Sequence, residues 1–258
     1  MIVPFQFLLK DALRLRKMFV WIILAIIAFT LAMTWQALSI GTGAKITSTD
    51  RYVNVVNLLV FRLLPLASAI YSTMILSQEI EQKTIVYLLT RPIERWKLLL
   101  GRWGATVVAV VIISLLGMFA TVMGSGGFTA VHITFVRDIS AIILGAAAYG
   151  SLFLFVTLMF NRALIICVLF AFGWESSVPN LATGLQKLSI LAHMQAIAKH
   201  PESAGGTGFL SGITGILGKN NLSPASSAFA LTVFSVVMVG LSAYWFTTHE
   251  YIPREDTE

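Results

Sequence analysis

Long stretches of this sequence contain no charged residue. The runs from Met18 to Ala44 and from Trp103 to Val136 each exceed 25 residues without Asp, Glu, Lys or Arg. A transmembrane helix needs about 20 apolar residues, so each run is long enough to cross a bilayer. Charged residues make up 12% of the chain and hydrophobic residues 57%, whereas soluble domains carry roughly 25% charged residues. This composition excludes a soluble enzyme, a small secreted disulfide domain and a disordered chain.

The pattern predicts an all-α, polytopic membrane protein with a single transmembrane domain over residues 1–258. Six spans are predicted, at about 18–40, 55–77, 101–123, 139–160, 163–180 and 226–248. The first span is too long for the apolar region of a signal peptide, which is only ~7–15 residues. The longest segment between spans, 181–225, contains one stretch that can be helical, from Leu185 to Lys199, followed by glycines that break regular structure.

The distribution of Lys and Arg predicts the orientation, because these residues accumulate on the cytoplasmic side. With the N-terminus inside, the inner segments hold eleven of them, the outer segments hold six, and Arg62 falls within a span. We therefore predict a multi-pass protein of the cell (inner) membrane with both termini in the cytoplasm. The net charge of +6 does not indicate nucleic-acid binding, since the basic residues are scattered between apolar runs.

Residues 5–17, ahead of the first span, are amphipathic. Apolar side chains fall on one helical face, and Lys10, Arg14 and Lys17 fall on another. The pattern predicts a helix that lies along the anionic inner leaflet, at the membrane interface. The same residues also fit an ordinary basic flank of the first span, and the two interpretations are compatible.

The segment 79–97, between the second and third spans, is charged and amphipathic. Four residues share one face of a predicted helix: Ile80, Thr84, Tyr87 and Leu88. Pro92 ends this helix, because its ring disfavours helical geometry at Arg91 and its nitrogen donates no hydrogen bond. Two short cytoplasmic helices around a proline are one interpretation, and a simple surface loop fits the composition equally well.

This segment resembles the one that follows the second span in type-2 ATP-binding-cassette (ABC-2) permeases. That family shows an acidic residue, Gly-Thr, a Leu-Leu pair, a Pro-Ile/Val-Ser-Arg turn and a Leu-Gly-Lys entry to the next span. The matching residues here are Glu79 or Glu81, Thr84, Leu88-Leu89, Pro92-Ile93, Arg95 and Leu99-Leu100-Gly101-Arg102. The sequence departs from the pattern at three positions: Lys83 for glycine, Glu94 for serine and Arg102 for lysine. Of these, Lys83 would change contacts with a partner protein.

A second stretch is similar to the Trp-Glu and Leu-Ser-Ile elements near the outer end of the fifth span in the same family. It comprises Gly173-Trp174-Glu175-Ser176, Leu188-Ser189-Ile190 and His193. With six spans in about 260 residues, the resemblance covers the whole chain. It implies that spans two and five line a route and that short, partly re-entrant helices in 181–225 cap its exit.

The resemblance also implies that the chain is the membrane subunit of an ATP-driven exporter and carries no catalytic site of its own. Two copies of a cytoplasmic ABC ATPase would bind ATP and Mg, and a second permease copy would complete a homodimer, or a heterodimer with a related permease. Residues 79–95 would form the coupling helix, which docks in a groove of the ATPase. The implied ATPase-coupling residues are Glu79, Ile80, Glu81, Thr84, Tyr87, Leu88, Arg91, Pro92 and Arg95.

Two charged residues fall inside predicted spans, where such groups usually pair or line a polar cavity. Arg62 is expected a few residues inside the outer end of span two, and Glu175 in the outer half of span five. One hypothesis is that they approach one another at the exit of the route. The alternative is that Arg62 extends to the outer headgroups and Glu175 caps a helix end.

The sequence offers no catalytic set. Around Gly212 to Asn220 the nearest approach to a phosphate-binding loop has Ile213 where glycine is required and Asn220 in place of the hydroxyl. The single Cys167 forbids an internal disulfide, and no histidine has a second ligand at metal spacing. Two alternatives to an ATP-driven exporter stay open: a scaffold or secondary transporter that uses no ATP, and an intramembrane enzyme. The spans lack the acidic relay that ion coupling usually needs.

Overall fold

A computed structural model of the chain describes residues 14–41, 47–81, 95–127, 131–160, 162–175, 185–200 and 222–248. Regular structure in these ranges is entirely helical, which confirms the predicted all-α, polytopic class. Its helices are α1 (Leu15–Gly41), α2 (Ser48–Val55, Val56–Phe61 and Arg62–Glu81), α3 (Arg95–Gly124), α4 (His132–Met159), α5 (Ala163–Leu169 and Phe170–Trp174), α6 (Ile190–Ala198) and α7 (Pro224–Thr248). The segments Val56–Phe61 and Phe170–Trp174 are π-helical turns within α2 and α5.

Five of these helices are long and apolar enough to cross a membrane: Met18–Leu38, Ser48–Met74, Trp96–Gly124, His132–Met159 and Pro224–Thr248. They correspond to the predicted spans one to four and six. The predicted fifth span corresponds to a shorter apolar helix, Ala163–Trp174, and residues 176–180 of that prediction lie outside the described ranges. The predicted interfacial helix also lies outside them, apart from Arg14 and the first turns of α1.

The second span begins earlier than the sequence predicts, at Ser48 instead of about residue 55. The Asp50 carboxylate accepts the backbone N–H of Thr47 at 3.3 Å and so stabilises the first turn of α2. Arg51, which the charge count places in an outer loop, is buried in the bundle instead. Its guanidinium donates to the Ser48 hydroxyl and to the backbone carbonyl of Ser125 at the end of α3. These two contacts hold the guanidinium of Arg51 inside the bundle, within the first turn of α2.

The connections define two ends of the bundle. α2 ends and α3 begins at one end, which we call the coupling end because the predicted coupling segment joins them there. α1 and α3 end, and α2, α4 and α7 begin, at the opposite end, which we call the distal end. The spans in α2 and α4 are the most enclosed: 61% and 56% of the residues in their apolar stretches are buried. In α1 and α7 the buried share is only 28% and 22%. The core therefore lies around α2 and α4.

Candidate functional site

The coupling end contains the two helix ends that flank the predicted coupling segment. Glu79, Ile80 and Glu81 form the last turn of α2, and Arg95 is the first residue of α3. Five predicted coupling residues lie outside the described ranges: Thr84, Tyr87, Leu88, Arg91 and Pro92. The helix of α2 continues without a break from the end of its span at Met74 to Glu81. A force applied to this polar extension would therefore act directly on the span, because a continuous helix is stiff along its axis.

Arg62 lies near the middle of the second span. Fourteen residues of Ser48–Met74 precede it and twelve follow it, so it is deeper than the sequence predicts. The cause of the difference is the early start of α2. The Arg62 side chain is exposed. It forms no hydrogen bond or ion pair with any residue in the described ranges.

Arg62 follows a distorted part of α2. The π-helical turn Val56–Phe61 ends immediately before it, and the buried Pro65 lies three residues beyond. Proline has no N–H to donate to the carbonyl four residues earlier, which here belongs to Phe61, and its ring crowds that carbonyl. The wider π turn accommodates this missing bond. Such turns occur frequently at functional sites and give a span a place where it can change shape.

Glu175 comes directly after the π-helical turn of α5, and its carboxylate contacts the start of α6. It accepts hydrogen bonds from the Ser189 hydroxyl at 2.5 Å, from the Ile190 N–H at 3.1 Å and from the Leu191 N–H at 3.3 Å. The Tyr149 hydroxyl of α4 lies beside the same carboxylate, outside hydrogen-bond geometry. Glu175 is only 2% exposed. The Glu175 oxygens therefore satisfy donors at the start of α6 that would otherwise lack partners, and the positive end of the α6 dipole favours the carboxylate form.

This contact joins the two parts of the Trp-Glu and Leu-Ser-Ile resemblance, because Glu175 belongs to one part and Ser189 and Ile190 to the other. The described contacts of Glu175 do not include Arg62, so the structure does not bring the two charged residues together. The environment of Glu175 matches the alternative in which it caps a helix end.

A second buried polar cluster connects α2, α4 and the residues after α6. The Tyr52 hydroxyl donates to Asp138 Oδ2 at 2.7 Å, and His200 Nε2 lies 2.9 Å from Asp138 Oδ1. His200 Nδ1 lies 3.2 Å from Asn57 Oδ1, and its ring stacks on Phe61 with the centroids 5.3 Å apart. Sequence reasoning did not single out this cluster. The sequence signal that could have indicated it is that Asp138 and His200 each stand beside an apolar run, where polar residues need partners.

Both clusters hold α6 against α4, from the neighbourhood of Gly145, which contacts Met194, to Asp138 near the distal end. Glu175 contacts the first turn of α6. The helix ends at Ala198, Lys199 caps it in a left-handed conformation with φ of 56°, and His200 follows. Between them, His193 Nδ1 lies 3.1 Å from the Ser227 hydroxyl of α7, and Nε2 lies 2.9 Å from the Lys187 carbonyl. The arrangement fixes a short helix on the bundle by buried polar contacts at three points.

These clusters suit structural anchoring more than bond-making chemistry. Among the residues in the described ranges, no group of three or more His, Cys, Asp or Glu side chains is placed to hold a metal ion. Cys167 is a buried free thiol within α5.

The comparison with known proteins bears directly on this architecture. The family model described as ABC-2 family transporter protein matches residues 12–183, about two thirds of the chain. This match contains α1 to α5, the coupling segment, Arg62 and Glu175. None of the curated proteins compared with the chain matches it. The chain therefore belongs to the ABC-2 family of transporter proteins, and it is a multi-pass membrane permease of an ABC transporter.

Proposed function

We propose that the chain is the membrane-spanning subunit of an ATP-driven exporter, with both termini in the cytoplasm of the cell. Two permease copies form the route, and two copies of a separate cytoplasmic ATPase bind ATP and Mg and supply the energy. The two permease copies are either identical or closely related. The observation that carries the proposal is the family match over α1 to α5, which includes both helices that flank the coupling segment.

In this proposal, residues 79–97 form the contact with the ATPase. Apolar anchors are supplied by Ile80, Tyr87 and Leu88, while Glu79, Glu81, Arg91 and Arg95 orient the contact by charge. Thr84 and Pro92 set its shape. The unbroken helix from the second span to Glu81 supports this role, because it links the segment rigidly to the membrane part. Movement of the ATPases would then shift α2 and α3 together.

The route is proposed to run along α2 and α5. Both helices contain a π-helical turn, and both present exposed side chains in their distal halves, such as Leu58 and Trp174. Arg62 faces the route near its middle, and Glu175 acts at the distal gate by positioning α6. A route needs segments that can rearrange, and π turns provide them without breaking the helix.

Co-purification tests the proposal. A tagged permease is expressed in its native host, purified in mild detergent, and the retained ATPase is identified and quantified by mass spectrometry. Leu88→Asp and Glu81→Arg are each expected to reduce the retained ATPase at least fivefold, because they disrupt an apolar anchor and an orienting charge. Substrate-stimulated ATP hydrolysis by the intact complex then reports coupling.

The matched control is Lys187→Glu, which reverses an exposed charge at the distal end and is expected to retain the ATPase at the wild-type level. Retention of the ATPase by both coupling-segment variants would contradict the docking role. If no ATPase is captured by the wild-type chain, the exporter assignment itself is wrong.

A further inference from the structure

The position of Arg62 is costly unless something polar faces it. Among the charged side chains that the structure describes, only Arg62 lies more than ten residues from both ends of its span. An arginine at the centre of a lipid-facing helix is strongly disfavoured. Either end of its helix is about 18 Å or more away, at ~1.5 Å per residue. The arginine side chain is therefore too short to bring its guanidinium to either end of the helix.

Arg62 also belongs to a polar stripe. Four residues of α2 spaced one turn apart are exposed: Asp50, Asn54, Leu58 and Arg62. Three of them are polar, and two further polar residues beside them in α2, Arg51 and Asn57, are buried instead. A lipid-facing helix would carry apolar side chains here, because hydrocarbon offers no hydrogen-bond partners. The stripe therefore faces water or another polar group, and it leads from the distal end of the bundle to Arg62.

No acidic side chain of known position neutralises Arg62. Asp50 accepts the Thr47 N–H, and Asp138 contacts Tyr52 and His200. Glu175 is occupied by the start of α6. Among the described residues, therefore, the Arg62 guanidinium has no acidic partner. It carries five N–H donors in a planar fork that fits phosphate or carboxylate oxygens.

We infer that Arg62 binds the anionic group of the transported substrate, a phosphate or a carboxylate. The inference rests on the proposed function, in which the stripe of each copy faces the shared route. Two copies place two guanidinium groups near the middle of the membrane, where the low dielectric strengthens a charge-assisted hydrogen bond. Substrates with neutral or cationic groups lack this contact.

A binding experiment on the permease alone tests the inference without requiring an ATPase. The purified chain is placed in phosphatidylcholine nanodiscs, and binding of radiolabelled amphiphiles with the same dodecyl tail is measured by equilibrium dialysis. Dodecyl phosphate and dodecanoate are expected to bind at least about tenfold more tightly than dodecyl maltoside or dodecyl trimethylammonium, a factor that corresponds to ~1.4 kcal/mol. Inorganic phosphate is tested as a competitor of dodecyl phosphate. If it competes, the anionic group is sufficient for binding; if it does not, the apolar tail is also needed.

Arg62→Gln is expected to abolish the preference for anionic amphiphiles, and Arg62→Lys to retain most of it. Arg162→Gln removes an exposed arginine outside the spans and is the matched control, expected to bind like the wild type.

Equal affinities for all four headgroups in the wild type would overturn the inference, as would an unchanged preference in Arg62→Gln. If Arg62→Gln instead dissociates the dimer with the preference intact, Arg62 pairs with the second copy and the inference is wrong. Failure to capture an ATPase would contradict the proposed function but would leave these binding results unaffected.

Discussion

Glu175 illustrates how a buried carboxylate is held in a membrane protein without a cation. Its three donors are a hydroxyl and two backbone N–H groups at the start of a helix. The helix dipole adds a favourable interaction at that end, typically 0.3–1 kcal/mol and up to about 2 kcal/mol where the site is partly buried. Removing the carboxylate would leave buried donors without partners, which costs more than the loss of one exposed hydrogen bond.

We expect Glu175→Ala to lower the free energy of unfolding by about 3 kcal/mol and Glu175→Gln by about 1 kcal/mol, since glutamine keeps an acceptor oxygen but not the charge. Thermal unfolding of the detergent-solubilised chain, followed by circular dichroism, measures the difference as an apparent Tm. Asp50→Ala, which removes an exposed capping carboxylate, is the control and should change the Tm less. Equal effects of the three substitutions would show that the buried contacts of Glu175 add no stability.

The sequence contained only part of the information about these residues. Charge at membrane depth was visible for Arg62 and Glu175, and a helix cap was one of two interpretations of Glu175. The partners of Asp138 could not be predicted, because Tyr52 and His200 lie 86 and 62 positions away in the chain and no local pattern connects them. Arg62 lies farther from the start of its helix than the sequence predicts, because Arg51 resembles a loop residue in sequence but is buried within α2.

At the scale of the helix, α2 contains a π-helical turn, Arg62 and the first residues of the predicted coupling segment in one continuous element. Its distortion has a local cause in Pro65, whose missing N–H leaves the Phe61 carbonyl without its usual donor. The helix is therefore less stable at its centre than an uninterrupted span would be. This weakness would let the distal half move relative to the coupling half.

Pro65→Ala restores the missing donor and should favour a regular helix through this region. We expect a higher apparent Tm together with at least threefold lower substrate-stimulated ATP hydrolysis in the reconstituted complex, because the straighter helix resists rearrangement. Pro224→Ala is the matched control. Pro224 is the first residue of α7, where a proline removes no hydrogen bond, so both quantities should remain near the wild type. Unchanged ATP hydrolysis in Pro65→Ala would show that the distortion plays no part in coupling.

The apolar runs located the five long helices, and the predicted fifth span coincides with the shorter apolar helix Ala163–Trp174 in the described ranges. The ends were less predictable, because a charged residue was assumed to mark the surface. That assumption fails at the distal end, where Arg51 and Asp138 lie inside helices and form hydrogen bonds to distant parts of the chain, Ser125 and Tyr52. The π turns carry no distinctive sequence pattern beyond the proline after the first of them.

At the scale of the whole molecule, the surfaces of the bundle differ in polarity. α1 and α7 expose apolar side chains along most of their length, as lipid-facing helices do, whereas α2 exposes its polar stripe. Polar side chains at membrane depth mark the side of a protein that faces its route or another subunit. We therefore expect the second permease copy to lie on the α2 side of the bundle.

Cysteine cross-linking measures this arrangement. Because Cys167 is the single native cysteine, a Cys167→Ser chain is a clean background for one introduced thiol. Leu58→Cys, on the stripe of α2, is expected to give a cross-linked dimer with a short bismaleimide in membranes. Val236→Cys, at a position of α7 that is 67% exposed, should remain monomeric on a denaturing gel. Cross-linking at Val236 but not at Leu58 would place the second copy on the opposite side of the bundle.

The apolar part of α5 has a consequence for the lipids around it. Its exposed apolar side chains include Leu164, Leu169 and Phe172. Acyl chains of the bilayer would pack against these side chains, and a mismatch between the length of the acyl chains and the apolar surface costs fractions of a kcal/mol per Å. Since α5 leads directly into Glu175, and Glu175 holds the start of α6, the acyl-chain length of the host membrane would influence how readily α6 moves.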